Sequence, residues 1–165
     1  MARATQDEVD TAPAFVGIDE ILGQGRAIAT LTEAMASGRL HHAWVFAGPF
    51  GVGKFTTARA FASMLMDPTL ERDLAGSLRP DPESTTQRLI REGNHPDLHI
   101  ITKELALFSS DSGVRSRKQL TIAKEVILDH LLKPIALAPT MRTGSIASKV
   151  FIVDEAELLD RSLTN

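Results

Sequence analysis

"AGPFGVGKFTTARAF", residues 47–61, is the stretch on which the reading turns. Gly48, Gly53 and Lys54 fall at the spacing G-x-x-x-x-G-K, with Gly51 between them. Glycines placed this way let consecutive backbone N–H groups turn inward toward phosphate oxygens, and the helix that follows presents its positive end to them. A lysine at the end of the loop then reaches the outer phosphates. The next position is ordinarily Ser or Thr, whose hydroxyl ligates magnesium; here it is Phe55, and a phenyl ring offers no lone pair. Thr56 comes one residue late, and a step of about 100° around a helix turns its hydroxyl away from the metal. The stretch therefore predicts a phosphate cradle of Gly48, Pro49, Gly51, Val52, Gly53, Lys54, Phe55 and Thr56 in which one metal ligand is missing.

The flanks suit that reading. "HAWVFAG", residues 42–48, is a short apolar run of strand formers, and "KFTTARAFASML", residues 54–65, places Ala58, Phe61, Ala62 and Leu65 on one helical face. Upstream, Ile28, Leu31, Ala34 and Met35 recur at helical spacing until Gly38 supplies a stop. Downstream, "VFIVDE", residues 150–155, is an apolar strand ending in two acids, the Walker B pattern. There Asp154 holds magnesium through water and Glu155 polarises the attacking water as the catalytic group.

Between these motifs, residues 67–95 are polar and broken by Pro68, Pro80 and Pro82, which predicts a surface insertion with a short helix over Thr85–Arg91. "PDLHIIT", residues 96–102, reads as a second strand, and residues 104–118 read as a loop. "QLTIAKEVILDHLLK", residues 119–133, is an amphipathic helix expected to stop before Pro134. Strands alternating with helices predict an α/β fold, a parallel sheet flanked by helices on both faces, with Val45, Phe46, Ile100, Phe151, Ile152 and Val153 in its central strands.

Bulk properties narrow the field. The chain has 165 residues, 43% of them hydrophobic, about one domain's worth of soluble globular protein. Its formal net charge of -3 gives no global basic footprint for nucleic acid, so any DNA contact rests on a local patch such as Arg115, Arg117 and Lys118, which otherwise reads as a solvated loop. Zero cysteines exclude disulfides and a thiolate zinc site. Residues 1–14 read as a disordered polar arm without the apolar segment of a secretory signal, and no apolar run approaches the roughly 18 residues that cross a bilayer; the expected location is the cytoplasm, with no membrane contact. His95 and His99 have the i, i+4 spacing of a metal pair, but Pro96 argues against the helix this would need. His41 and His42 are expected to pack between helix and strand.

Taken in order, "ILGQGRAIATLTEAMASGRLHHAWVFAGPFGVGKFTTARAFA" (21–62), "GNHPDLHII" (93–101) and "KVFIVDEAELLDRSLTN" (149–165) resemble the AAA+ clamp-loader subunits of bacterial DNA polymerase III. The resemblance implies a P-loop AAA+ domain over residues 15–165, ending after Walker B, with Ile21, Leu22, Gly23 and Gln24 on the adenine side of the pocket. In the family a sensor strand, an arginine finger, a lid and a collar follow the last of these blocks; none is read within residues 1–165, and a parallel sheet without its later strands would leave apolar edges uncovered. Phe55 and the absence of cysteine resemble the delta-prime subunit more than the gamma/tau motor, which keeps Ser or Thr after the lysine and usually carries zinc-binding cysteines. That resemblance implies sliding-clamp loading in DNA replication as part of a DNA-directed DNA polymerase holoenzyme, with weakly held ATP and Mg, no zinc, and intrinsic ATP turnover weak or absent. It implies as partners the gamma/tau and delta subunits, with the sliding clamp and primed DNA reached through the complex. A gamma/tau motor subunit is the alternative within the family; a P-loop kinase or small NTPase is the alternative of another class.

Overall fold

The computed structural model describes residues 15–159 apart from residues 75, 117, 142 and 143. The expected arm, residues 1–14, and Arg117 lie outside the described residues, and so does the end of the chain from residue 160.

Helix α1 (Gly25–Ala36) and helix α2 (Lys54–Met66) form where the periodicity puts them. Helix α1 ends at Ser37, and Gly38 takes a left-handed φ of 66°, a turn that glycine adopts without a Cβ penalty. Helix α2 is the centre of the fold. From Arg59 to Met66 every residue is buried, so it needs cover around most of its circumference. On one side Ala60, Phe61, Met64 and Leu65 form a core with Ile18, Leu31 and Met35.

Two charged residues, Arg59 on α2 and Asp67 just after it, bond to the segment that follows. Arg59 donates to the carbonyl of Ile90 and sits over the Phe15 ring, 5.5 Å from its centroid. Asp67, at the end of α2 and only 1% exposed, accepts from the backbone and hydroxyl of Thr69, the hydroxyl of Ser84 and the side-chain amide of Gln87. Ser84 also caps helix α3 (Thr85–Arg91) by accepting from Gln87 N–H. Between Asp67 and Ser84 the chain makes a small antiparallel hairpin, β1 (Glu71–Arg72) with β2 (Leu78–Arg79). The short helix α3 falls on the predicted residues; the hairpin carries no alternating apolar pattern, and the sequence reading did not expect it.

Strands β3 (Leu98–Ile101) and β4 (Val150–Val153) pair in parallel, with His99 opposite Phe151 and Ile101 opposite Val153. Ile101 belongs to a second core with Ala106, Val114, Ile122, Val126 and Ile127, against which Phe151 and Val153 pack. The fold is thus mixed α/β with a small parallel sheet and helices.

Three sequence expectations are corrected here. Residues 44–47 alternate as a strand would, with Trp44 and Phe46 packed against the first core and Val45 93% exposed, yet among the described residues no neighbouring strand pairs with them. Alternation buries one face, but a strand exists only with a hydrogen-bonded neighbour, and Val45 and Phe46 are therefore not in the sheet. Residues 104–118 are not a plain loop: a 3₁₀ turn over Lys103–Phe108 and helix α4 (Ser112–Arg115) bury Ala106 and Val114. The predicted helix over 119–133 begins late and does not stop at Pro134. Helix α5 (Lys124–Ile127) widens into a π turn (Leu128–Leu132) and continues as helix α6 (Lys133–Ile135). A proline inside a helix clashes with the carbonyl four residues back, and a wider turn is one way to relieve that clash. Residues 119–123 instead run alongside Leu159, through an Ile122–Leu159 bridge.

Candidate nucleotide site

The glycine loop of residues 48–53 lies between residues 44–47 and α2, with α1 tied to it through Gln24. Gly51 and Gly53 adopt φ of 79° and 88°, conformations that L side chains rarely reach, and apart from the adjoining residues no atom lies within 4 Å of a Cβ built on either. Gly53 precedes α2, and having no side chain it cannot cap the first N–H groups of the helix. The motif expects an anion at these donors, and the open space at both glycines fits phosphate approach.

Lys54 is turned into the loop, where its ammonium donates to the carbonyls of Gly48 at 3.0 Å and Pro49 at 2.9 Å. Thr57, buried one helical step beyond Thr56, donates its hydroxyl to the Gly53 carbonyl at 2.9 Å. Gln24 ties α1 to the loop: its side-chain amide donates to the Val52 carbonyl at 2.8 Å. Of the residues expected on the adenine side, Ile21 packs against the first core and Leu22 is 89% exposed. Gly23 takes a left-handed turn into α1. A cavity of about 250 Å³ opens here, lined by Gln24, Thr30, Leu31, Trp44, Phe46 and Lys54 among others. Sequence reasoning missed Trp44 and Thr30 as lining residues; only the packing of α1 against residues 44–47 brings them to the loop.

The acidic pair stands at the end of β4. The Asp154 N–H donates to the Ile101 carbonyl at 3.0 Å, extending the β3/β4 ladder by one bond. Glu155 is a non-glycine residue at φ 50°, an uncommon left-handed conformation. Its N–H donates to Asp154 Oδ1 at 3.0 Å, and its carbonyl accepts from Leu158 at the turn that follows. The backbone reverses here and projects the Glu155 side chain toward the end of β3. There Lys103, two residues past β3, holds Glu155 Oε2 at 2.6 Å. Hydrogen bonding to Glu155, opposed by partial burial and helped by the charges of Glu155, Glu104 and Asp154, holds the Lys103 ammonium above its ordinary pKa. Sequence analysis did not single out Lys103. Among the described residues no hydrogen bond or ion pair joins Lys54 to either acid.

The site offers one metal-ligating oxygen fewer than the standard motif. Phe55 offers no oxygen, Asp154 Oδ1 is engaged by Glu155 N–H, and Glu155 is paired with Lys103. Among the described residues no group of three or more His, Asp or Glu could hold a metal ion. His95 and His99 do not converge. His95 is buried and its Nδ1 accepts from Asp97 N–H, while His99 stacks on Phe151 at 4.7 Å between centroids. Burial pushes both imidazoles below their usual pKa. His41 is exposed and meets Trp44 edge-on at 5.9 Å; His42 is exposed. Arg115 donates to the carbonyls of Ser109 and Ser110, an engagement that holds it on its own loop, and Lys118 is exposed.

No helix among the described residues is long and apolar enough to cross a membrane. Residues 23–165 match the family model for "DNA polymerase III, delta subunit". Similar proteins include the DNA polymerase III subunit tau/gamma of Haemophilus influenzae, 29% identical over 88% of this chain and 18% of the relative. The DNA polymerase III subunit gamma of Buchnera aphidicola subsp. Baizongia pistaciae is 27% identical over 87% of this chain and 32% of its own length. Protein STICHEL-like 1 of Arabidopsis thaliana is 28% identical over 86% of this chain and 11% of its own length. The chain therefore spans less than a third of each of these relatives. No solved structure matches the chain. With the family model covering most of its length, the chain belongs to the DNA polymerase III delta subunit family.

Proposed function

We propose that the chain acts as a delta-prime-like clamp-loader subunit of bacterial DNA polymerase III, serving assembly of the complex rather than ATP turnover. On this reading residues 15–165 form part of a P-loop AAA+ domain, residues 67–95 are an insertion on it, and residues 1–14 are an N-terminal arm. The observation that carries the reading is a phosphate loop in open left-handed glycine geometry that is followed by Phe55 in place of a hydroxyl. Gly48, Pro49, Gly51, Val52, Gly53 and Lys54 cradle phosphates, Ile21 to Gln24 border the base, and Phe55 and Thr56 open α2 without a metal ligand.

The chemistry follows from the charges. The N–H groups opening α2 and the Lys54 ammonium bind anionic oxygens, while Glu155, tied to Lys103, is withheld from polarising a water. Bound magnesium would ordinarily neutralise charge in phosphoryl transfer, and this donor set gives it poor purchase. The partners on this reading are gamma/tau and delta subunits, the sliding clamp and primed DNA are reached through the complex, and the location is the cytoplasm. A gamma/tau-type motor is the second reading, favoured by the intact Asp154 and Glu155 and by the relatives' names.

Co-purification with the other clamp-loader subunits of the same cell tests the proposal. The expected result is a stoichiometric complex that loads clamps and fails to load them when this subunit is omitted. A subunit that joins no such complex, or one that phosphorylates a metabolite on its own, contradicts it.

A further inference from the structure

We propose that Gln24 is a positioning residue of the phosphate loop: by holding the Val52 carbonyl, it fixes the Gly53 N–H on the side where an anion binds. The proposal rests on the nucleotide reading above and gives Gln24 a task in that site beyond bordering the base. Gln24 stands at the N-cap of α1, yet its side chain makes no capping bond to its own helix. The amide instead reaches a residue 28 positions away and donates to the Val52 carbonyl at 2.8 Å. Val52 lies between Gly51 and Gly53, whose φ of 79° and 88° are both left-handed. In a trans peptide the C=O and the N–H point in opposite directions. The Val52 carbonyl and the Gly53 N–H share one such plane, so a bond to Gln24 at one edge sets where the donor at the other edge points.

The next peptide is set in the same way. The Gly53 carbonyl accepts from the N–H and the hydroxyl of Thr57, each at 2.9 Å, which turns the Lys54 N–H the other way. Among the described residues neither the Gly53 nor the Lys54 N–H donates a hydrogen bond. Two successive backbone donors held in this manner make an anion-binding concavity. Thr57 belongs to α2, so the second peptide is fixed by the helix itself; the first lies ahead of the helix and needs another anchor. Rotating the first peptide changes the φ of Gly53, and glycine accepts either sign of φ at similar cost. The bond from Gln24 removes that freedom. Gln24 is itself held, because its carbonyl accepts from Ile28 N–H at 3.0 Å and Ile28 packs on the core that α1 shares with α2. Anchor and loop therefore rest on one core, and a loop ordered before the ligand arrives lowers the entropic cost of binding.

The test compares the parent chain with Gln24→Met, which keeps the reach of the side chain and removes its N–H donors. Amide relaxation dispersion of Gly53 in the ligand-free protein is expected to be flat in the parent and to show microsecond-to-millisecond exchange in Gln24→Met. In calorimetric titrations with EDTA present, Gln24→Met should bind inorganic pyrophosphate and ATP about fivefold more weakly than the parent, by the same factor for both. Pyrophosphate affinity within about twofold of the parent overturns the proposal, and a loss confined to ATP assigns Gln24 to the base instead. Where circular dichroism shows Gln24→Met unfolded, Gln24→Leu carries the same comparison. A parent that binds neither pyrophosphate nor ATP overturns the nucleotide reading, and the Gly53 amide still decides the present point: the same dispersion profile in parent and variant means that Gln24 does not set the peptide.

Discussion

Lys54 spends its charge on two carbonyls of its own loop, and that local economy predicts how the residue behaves when a ligand comes. Charge-assisted contacts to phosphate are stronger than contacts to neutral carbonyls, so pyrophosphate or ATP should draw the ammonium away. Lys54→Ala should weaken ATP binding by about tenfold or more, read by Trp44 quenching, with no loss of folded structure by circular dichroism because its ammonium bonds only to carbonyls of the loop. Phe55→Thr restores a hydroxyl at the metal position and should strengthen magnesium-dependent ATP binding. Thr56→Ala should change little. A large loss of affinity in Thr56→Ala, with no gain in Phe55→Thr, would mean that the hydroxyl role has moved by one residue. At this scale the sequence was informative wherever a residue acts through its own backbone: Gly51, Gly53 and Phe55 can be read from the letters alone. Lys103 could not be, because its partner lies 52 positions away and only the parallel pairing of β3 with β4 brings them together.

At the scale of elements, the insertion after α2 depends on one buried carboxylate. Burial pushes the Asp67 carboxyl up, but the bonds donated by Ser84, Thr69 and Gln87 outweigh that and hold it below the ordinary aspartate range. Its stabilising contribution is therefore complete above an unfolded pKa of about 3.9, and it is lost as pH falls through the lower folded value. Asp67→Asn keeps the size of the side chain but places an NH₂ against donors, and should cost about 2 kcal/mol in urea unfolding. In the variant the stability lost on acidification below about pH 4 should shrink in step. An Asp67→Asn chain as stable as the parent would show that the network contributes nothing. Helices α1 and α2 were legible from the periodicity of their apolar residues, strands β3 and β4 from their apolar runs, and α3 was offered as a short helix on the residues it occupies. The β1/β2 hairpin and the π turn were not: the first is stitched by polar side chains such as Asp67 and Thr69, and the second follows from how the chain passes Pro134 without leaving the second core.

For the whole molecule, α2 and residues 44–47 serve one core and β3, β4 and α5 serve another. Residues 44–47 show where sequence reasoning overreached: Trp44 and Phe46 gave the alternation of a strand, but pairing belongs to neighbours and not to the segment itself. The order of motifs, by contrast, was legible from end to end, and it agrees with the family match over residues 23–165. The central claim is that this subunit holds a phosphate cradle without driving the cycle. It is tested most directly by DNA-stimulated ATP turnover, measured on the protein alone and then in the clamp loader reconstituted with either the parent or the Lys54→Ala subunit. The account predicts no DNA-stimulated turnover by the protein alone, and turnover by the Lys54→Ala complex within about twofold of the parent complex. ATP hydrolysis by the isolated protein at the rate of a motor subunit, stimulated by DNA and abolished by Lys54→Ala, would contradict it.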